Sequence, residues 1–126
     1  MFELDQSGSY SWPVPVDVAT SGGKHHRQSF DAEFARLPQD RIDQIQIEAS
    51  KLRRLAEYGS DDTPDQLAKV KGIVDEVLVG WSGITEKGEQ VPFSEMAKAK
   101  LLNKAGVAAA ILSAFADSLS NGKSKN

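Results

Sequence analysis

The stretch that decides the fold is Trp12-Pro13-Val14-Pro15-Val16-Asp17-Val18-Ala19-Thr20-Ser21-Gly22-Gly23-Lys24-His25-His26-Arg27-Gln28-Ser29-Phe30-Asp31-Ala32-Glu33-Phe34. Trp12, Val14, Val16 and Val18 alternate with polar residues or proline. Gln28, Phe30, Ala32 and Phe34 form a second alternating run, and a Ser-Gly-Gly break lies between the two. Two period-2 runs about a glycine-rich turn predict a β-hairpin. Strand parity narrows the turn. A two-residue loop at Gly22-Gly23 pairs Val16 with Ser29 and puts the two apolar sets on opposite faces. A three-residue loop pairs Val18 with His26, Val16 with Gln28, Val14 with Phe30 and Trp12 with Ala32, and places a residue of positive φ at Gly23. A five-residue loop shares that parity and is the alternative. Pro13 and Pro15 lack an N–H on the same lateral side of their strand. That side is therefore a sheet edge, or those positions point away from the partner strand.

Beyond Pro38 the period becomes helical. Ile42, Ile45, Ala49, Leu52, Leu55 and Tyr58 fall at spacings of three and four, and Gly59 is a natural stop. Thr63-Pro64-Asp65-Gln66 reads as a capping box with proline at the first helical position. Leu67, Val70, Val74, Val77 and Leu78 give the next buried stripe. Gly72 inside it costs about 1 kcal/mol relative to alanine, which suggests close packing. Val79 to Phe93 follows neither period strictly and reads as an irregular or β-like excursion around Trp81 to Phe93. Ser94 is a suitable N-cap for a short helix to about Asn103. Gly106 separates this from a last helix with Val107, Ile111, Phe115 and Leu119 on one stripe. The fold class is α+β: an N-terminal β-hairpin followed by about four α-helices. Residues 1–9 are expected to be a flexible N-terminus, 10–120 a single globular domain and 121–126 a disordered tail.

The 126 residues carry 15 basic and 18 acidic side chains, with 40% hydrophobic residues and no cysteine. A chain of this length buries enough surface to fold without staples. Disulfides, thiolate metal sites and cysteine nucleophiles are excluded. A net charge of −3 is the reverse of what a general nucleic-acid binder needs, so nucleic acid is an unlikely partner. Residues 94–126 are the basic part, with 5 basic and 2 acidic groups. The N-terminal residues have no apolar run of the kind a secretory signal carries, and the Ala105–Phe115 stretch is too short to span a bilayer, so a cytosolic location is expected.

Candidate chemistry is sparse. His25 and His26 are adjacent on a strand and point to opposite faces, a poor arrangement for chelating one metal. Ser21-Gly22-Gly23-Lys24 lacks the spacing of a phosphate loop and leads into a strand rather than a helix. Asp61, Asp62 and Asp65 flank Pro64, where helix-terminal electrostatics and a solvated turn account for them. No catalytic, cofactor-binding or metal site is expected. Candidate partner contacts are the basic tip Lys24, His25, His26 and Arg27, and the Ala-rich last helix at Ile111 and Leu119, whose competing role is core packing. Trp12, Trp81 and Phe93 are expected to be core rather than ligand platforms. Trp81 should be mostly buried and anchor the excursion, with Phe93 nearby.

The segment Gly80-Trp81-Ser82-Gly83-Ile84, then Gly88, then Val91-Pro92-Phe93-Ser94, resembles the tail assembly chaperones of long-tailed bacteriophages and prophages. In those proteins a helix ends in Gly-Trp-x-Gly-Ile/Val, a turn with Asp/Glu and Gly follows, and Val/Leu-Pro-Phe/Tyr-Ser/Thr opens a leucine-rich helix. Leu101, Leu102, Val107 and Ala108 stand at the corresponding places here. Pro13 to Val18, the Gly22-Gly23-Lys24 turn, Phe30 to Phe34 and Leu37-Pro38 are similar to the family's opening hairpin and its exit. The resemblance spans roughly residues 10 to 120, with Gly80, Trp81, Gly83, Pro92 and Phe93 as its structural motif. It implies a non-enzymatic protein without cofactor, at most a weak homo-oligomer. Such a protein keeps the tape-measure protein soluble and helps the tail tube protein assemble around it. It acts in the cytoplasm of the bacterial host and is not retained in the mature virion. The competing classes are a structural tail or head–tail joining component, and a small nucleic-acid-binding regulator using the basic tip.

Overall fold

A computed structural model describes residues 8–57, 64–104 and 106–119. The N-terminal hairpin consists of β1 (Ser9–Thr20) and β2 (Lys24–Ala35), each 12 residues long. Its register is that of the three-residue loop: Val18 opposite His26, Val16 opposite Gln28, Val14 opposite Phe30 and Trp12 opposite Ala32. Both Gly22 and Gly23 take positive φ, at 88° and 77°, which explains why two glycines end this loop.

Two long helices follow, α1 (Gln39–Glu57) and α2 (Pro64–Val77). Pro64 is the first helical residue, the position where a missing N–H costs nothing. Leu78 does not extend the stripe of α2. It begins β3 (Leu78–Ser82), which pairs antiparallel with β2 and makes the sheet three-stranded in the order β1-β2-β3. Asp31 faces Ser82, Ala32 faces Trp81, Glu33 faces Gly80 and Phe34 faces Leu78, with a bulge that takes up Val79. The first half of the excursion is thus a sheet strand. The second half is a two-stranded ribbon, β4 (Thr85–Glu86) and β5 (Glu89–Gln90), turned by Lys87 and Gly88 at φ 52° and 83°. Two successive positive φ values are the geometry of a type I′ hairpin turn.

Ser94 caps α3 (Glu95–Leu102): its hydroxyl accepts the Ala97 N–H at 3.1 Å. Gly106, at φ 79°, separates α3 from α4 (Val107–Leu119). The helix α4 lies against β1 and α2 and closes the core. Its stripe Val107, Ile111 and Phe115 is buried among Val14, Phe34, Val74, Val77 and Leu78, and Leu119 packs at the margin. Phe34 and Phe115 meet edge to face at 5.2 Å, and Tyr10 meets Phe34 likewise at 6.0 Å. The Ser118 hydroxyl donates to the Phe115 carbonyl, so the Tyr10 hydroxyl, 2.6 Å from Ser118 Oγ, is the donor of that second bond. The aromatic end of β1 is thereby tied to the last turn of α4.

On α1, Ile45 is buried and Ile42 and Ala49 are partly so, while Ile47 is exposed. The guanidinium of Arg41 grips both carboxylate oxygens of Glu76 and joins the start of α1 to the end of α2. Gly72 is exposed, and a Cβ there would meet nothing within 4 Å. Close packing therefore does not account for it. The residues Tyr58, Gly59, Asp61, Asp62 and Thr63, the N-terminus before Gly8 and the tail from 121 lie outside the described residues. So do the side chains of Leu52, Leu55, Asp65, Gln66 and Leu67.

Candidate functional site

Two places gather the residues singled out by sequence. The first is a corner built on Trp81. Because side chains alternate along a strand, Trp81 shares the core-facing side of the sheet with Ala32 and Trp12. Ala32, the smallest of the three, is fully buried between the two indoles' strands, and both tryptophans are partly buried. The Trp81 indole N–H donates to the Val91 carbonyl at 2.7 Å, and its ring meets Phe93 edge to face at 4.9 Å. The Val91 N–H donates to the Ile84 carbonyl at 2.9 Å. The β4–β5 ribbon is therefore strapped back onto the sheet, and Gly83, at φ 84°, allows the chain to leave β3. Gly80 is buried opposite Glu33, where a Cβ would come within 3.3 Å of the Glu33 Cβ. Of the motif residues, Gly80, Trp81, Gly83 and Phe93 have specific structural work; Pro92 is exposed.

Lys98 completes this corner, and sequence reading missed it. It is the one charged residue buried among the described residues, 5% exposed. Its ammonium sits 5.4 Å from the Phe93 ring centre, 2.8 Å from the Asp75 carboxylate and 3.2 Å from the Asp75 main-chain carbonyl. Glu95 lies 3.6 Å away, one helical turn earlier. A cation at the carbonyl end of α2 meets the negative pole of that helix. The sequence signal was faint: a lysine three residues after a glutamate on a short helix looks like a solvated pair. Nearby, Lys100 binds Glu86 at 2.6 Å and ties the ribbon to α3. That hydrogen bond holds the Glu86 carboxyl below its ordinary value.

The second place is the outer part of the hairpin. From Asp17 to Ser29 every residue is exposed. Strands of 12 residues run about 40 Å, and β3 pairs only the Asp31–Phe34 part of β2. The tip is thus an arm standing off the body. Lys24 and His26 project on one face, His25 and Arg27 on the other. Arg27 is paired with Asp17 directly across the hairpin at 3.0 Å. The hydrogen bond from Arg27 lowers the Asp17 carboxyl and raises the guanidinium. Part of the basic patch is therefore neutralised within the arm.

The structure separates the two predicted contact sets. Lys24, His25, His26 and Arg27 are together and accessible. Ile111 is wholly buried and Leu119 mostly covered. Ile111 is a core residue, and a partner reaches it only by opening the domain. An open groove of about 370 Å³ lies between α1 and α2, lined by Arg41, Gln44, Ile45, Glu48, Lys69 and Gly72 among others. Its cations are held by neighbouring carboxylates, Arg41 by Glu76 and Lys69 by Glu48. Among the described residues no three His, Cys, Asp or Glu side chains converge as metal ligands, and no single helix is long and apolar enough to cross a membrane. No protein-family model, no curated protein and no solved structure matches this chain.

Proposed function

We propose that this protein is a non-enzymatic tail assembly chaperone of a long-tailed phage or prophage, acting in the bacterial cytoplasm on the tape-measure and tail tube proteins. One observation supports the reading above the others. The two halves of the resembling motif, Gly80–Ile84 and Val91–Ser94, are separate in sequence but form one unit through the Trp81–Val91 hydrogen bond and the Trp81–Phe93 ring contact. A motif shared for its architecture should be coherent in space, and this one is. The protruding arm adds an accessible contact surface, which a protein that works by binding requires.

The test is co-expression with the long helical protein encoded beside its gene. The expected result is a larger soluble fraction of that client and recovery of several copies of this chain with it, since many weak contacts along one long client add through effective concentration. Failure to solubilise or co-purify, together with stoichiometric amounts of this chain in mature particles, would replace the chaperone reading with that of a structural tail or head–tail component.

A further inference from the structure

The backbone of the arm has an unused side. Pro13 and Pro15 stand opposite Asp31 and Ser29. A proline gives no N–H, so these pairs belong to the non-hydrogen-bonded set of the antiparallel ladder, and the backbone groups of both partners point away from each other. On β1 they point to the outer edge, which the two prolines make a poor template for another strand. On β2 they point toward β3, where Asp31 and Glu33 meet Ser82 and Gly80. The same parity directs the N–H and C=O groups of His25, Arg27 and Ser29 to that side. There β3 has already ended at Ser82, and among the described residues no strand pairs with them. This edge of β2, Lys24 to Ser29, is fully exposed and carries neither proline nor bulge. It lacks the devices that protect the edge of β1.

The charges select the occupant. Lys24 and His26 stand on one face of the edge and His25 and Arg27 on the other. Arg27 already pairs with Asp17 across the hairpin, so the basic character left for a partner lies mainly on the Lys24–His26 face. A second copy pairing edge to edge would set these basic groups against themselves. A strand bearing carboxylates at alternate positions would place opposite charges across the new ladder on the Lys24–His26 face. We propose that the free edge of β2 from Lys24 to Ser29 binds an extended acidic segment of a partner protein by strand addition. This inference does not rest on the tail-assembly reading.

The test uses the full chain and a short capped peptide alternating glutamate with valine. Amide hydrogen exchange followed by NMR reads the register. The N–H groups of His25, Arg27 and Ser29 should become protected on binding, while those of His26, Gln28 and Phe30, already in the hairpin ladder, change little. Binding should weaken as salt rises. It should fall about tenfold in a variant carrying Lys24→Glu and His26→Glu, two exposed positions. It should be lost when alternate peptide nitrogens are methylated. Ser29→Pro removes one outward donor without touching a hairpin hydrogen bond and should also abolish binding, with protection at His26 and Gln28 showing that the arm is intact. Equal binding of a lysine–valine peptide, or undiminished binding of the methylated one, overturns the proposal. Protection of the same three amides by raising protein concentration alone also overturns it, and assigns the edge to a second copy.

Discussion

Trp81 and Val91, ten residues apart in the chain, are joined by an indole N–H to carbonyl hydrogen bond of 2.7 Å that closes the loop carrying the β4–β5 ribbon. The bond and the ring contact with Phe93 are separable by mutation. Trp81→Phe keeps an aromatic ring at the corner but leaves the Val91 carbonyl without its indole donor, at a cost of about 1–2 kcal/mol. Trp81→Ala removes both and costs about 3 kcal/mol, the low end for large aromatic truncations because Trp81 is only partly buried. Urea denaturation of the two variants checks the order. Equal losses would mean that the ring contact adds nothing beyond the hydrogen bond, and an unchanged phenylalanine variant would mean that the hydrogen bond contributes nothing of its own.

Lys98 offers a second separation, of charge from packing. Its stem is buried while the Asp75 carboxylate is 61% exposed, so water can solvate the acid once the lysine is gone. Lys98→Met keeps the stem volume against Phe93 and should cost about 1 kcal/mol or less. Lys98→Ala loses the packing as well and should cost about 2 kcal/mol. Equilibrium unfolding checks the difference between them; a methionine variant as weak as the alanine one would make the ammonium the dominant contribution.

Gly72 is exposed within α2 and faces open space. Gly72→Ala should therefore stabilise the protein, by about 0.5–1 kcal/mol, through helix propensity and a less flexible unfolded chain. A thermal melt raised by a few degrees is the expected result. A lowered melt would show that the groove between α1 and α2 needs the space.

The Arg41–Glu76 pair makes stability pH-dependent in one direction. Hydrogen bonding from Arg41 lowers the Glu76 carboxyl below its ordinary value of 4.5. The folded state thus binds the proton less readily than the unfolded one. The pair's contribution is fully present above pH 4.5 and is lost as pH falls through the lowered value. Glu76→Gln should be less stable than the parent at pH 7, and the gap should close in acid. A gap that persists at low pH would assign the loss to packing instead.

The hairpin was legible in full because parity and two glycines leave one register that places both apolar sets on one face. The helix start at Pro64, the cap at Ser94 and the glycine break at Gly106 were legible for the same kind of reason: each is a local rule that tertiary packing did not need to override. β3 was not. Leu78 continues the spacing of Val74 and Val77, so a helical stripe and the start of a strand look alike there. Only pairing with β2, some 45 residues earlier, settles the matter. Ile111 shows the complementary limit. An apolar stripe says which face is covered, and it does not say whether the cover is the domain itself or a partner. Lys98 was illegible because its burial depends on where α2 ends and where Phe93 lands, neither of which is local to α3.

The interposition of α1 and α2 between the second and third strands has a kinetic side. The hairpin is a local structure that forms as soon as its residues are available, in microseconds. The strand that completes the sheet is encoded only at Leu78–Ser82. At about 5–20 residues per second, translation takes several seconds to travel from Phe34 to Ser82. During that interval the whole length of β2, including Phe30, Ala32 and Phe34, presents an unprotected edge and an uncovered apolar face. Nascent chains on one messenger are therefore at risk of pairing with each other at this strand. A pause that holds β2 outside the ribosome while Leu78–Ser82 is still inside it should raise aggregation more than the same pause placed after both have emerged.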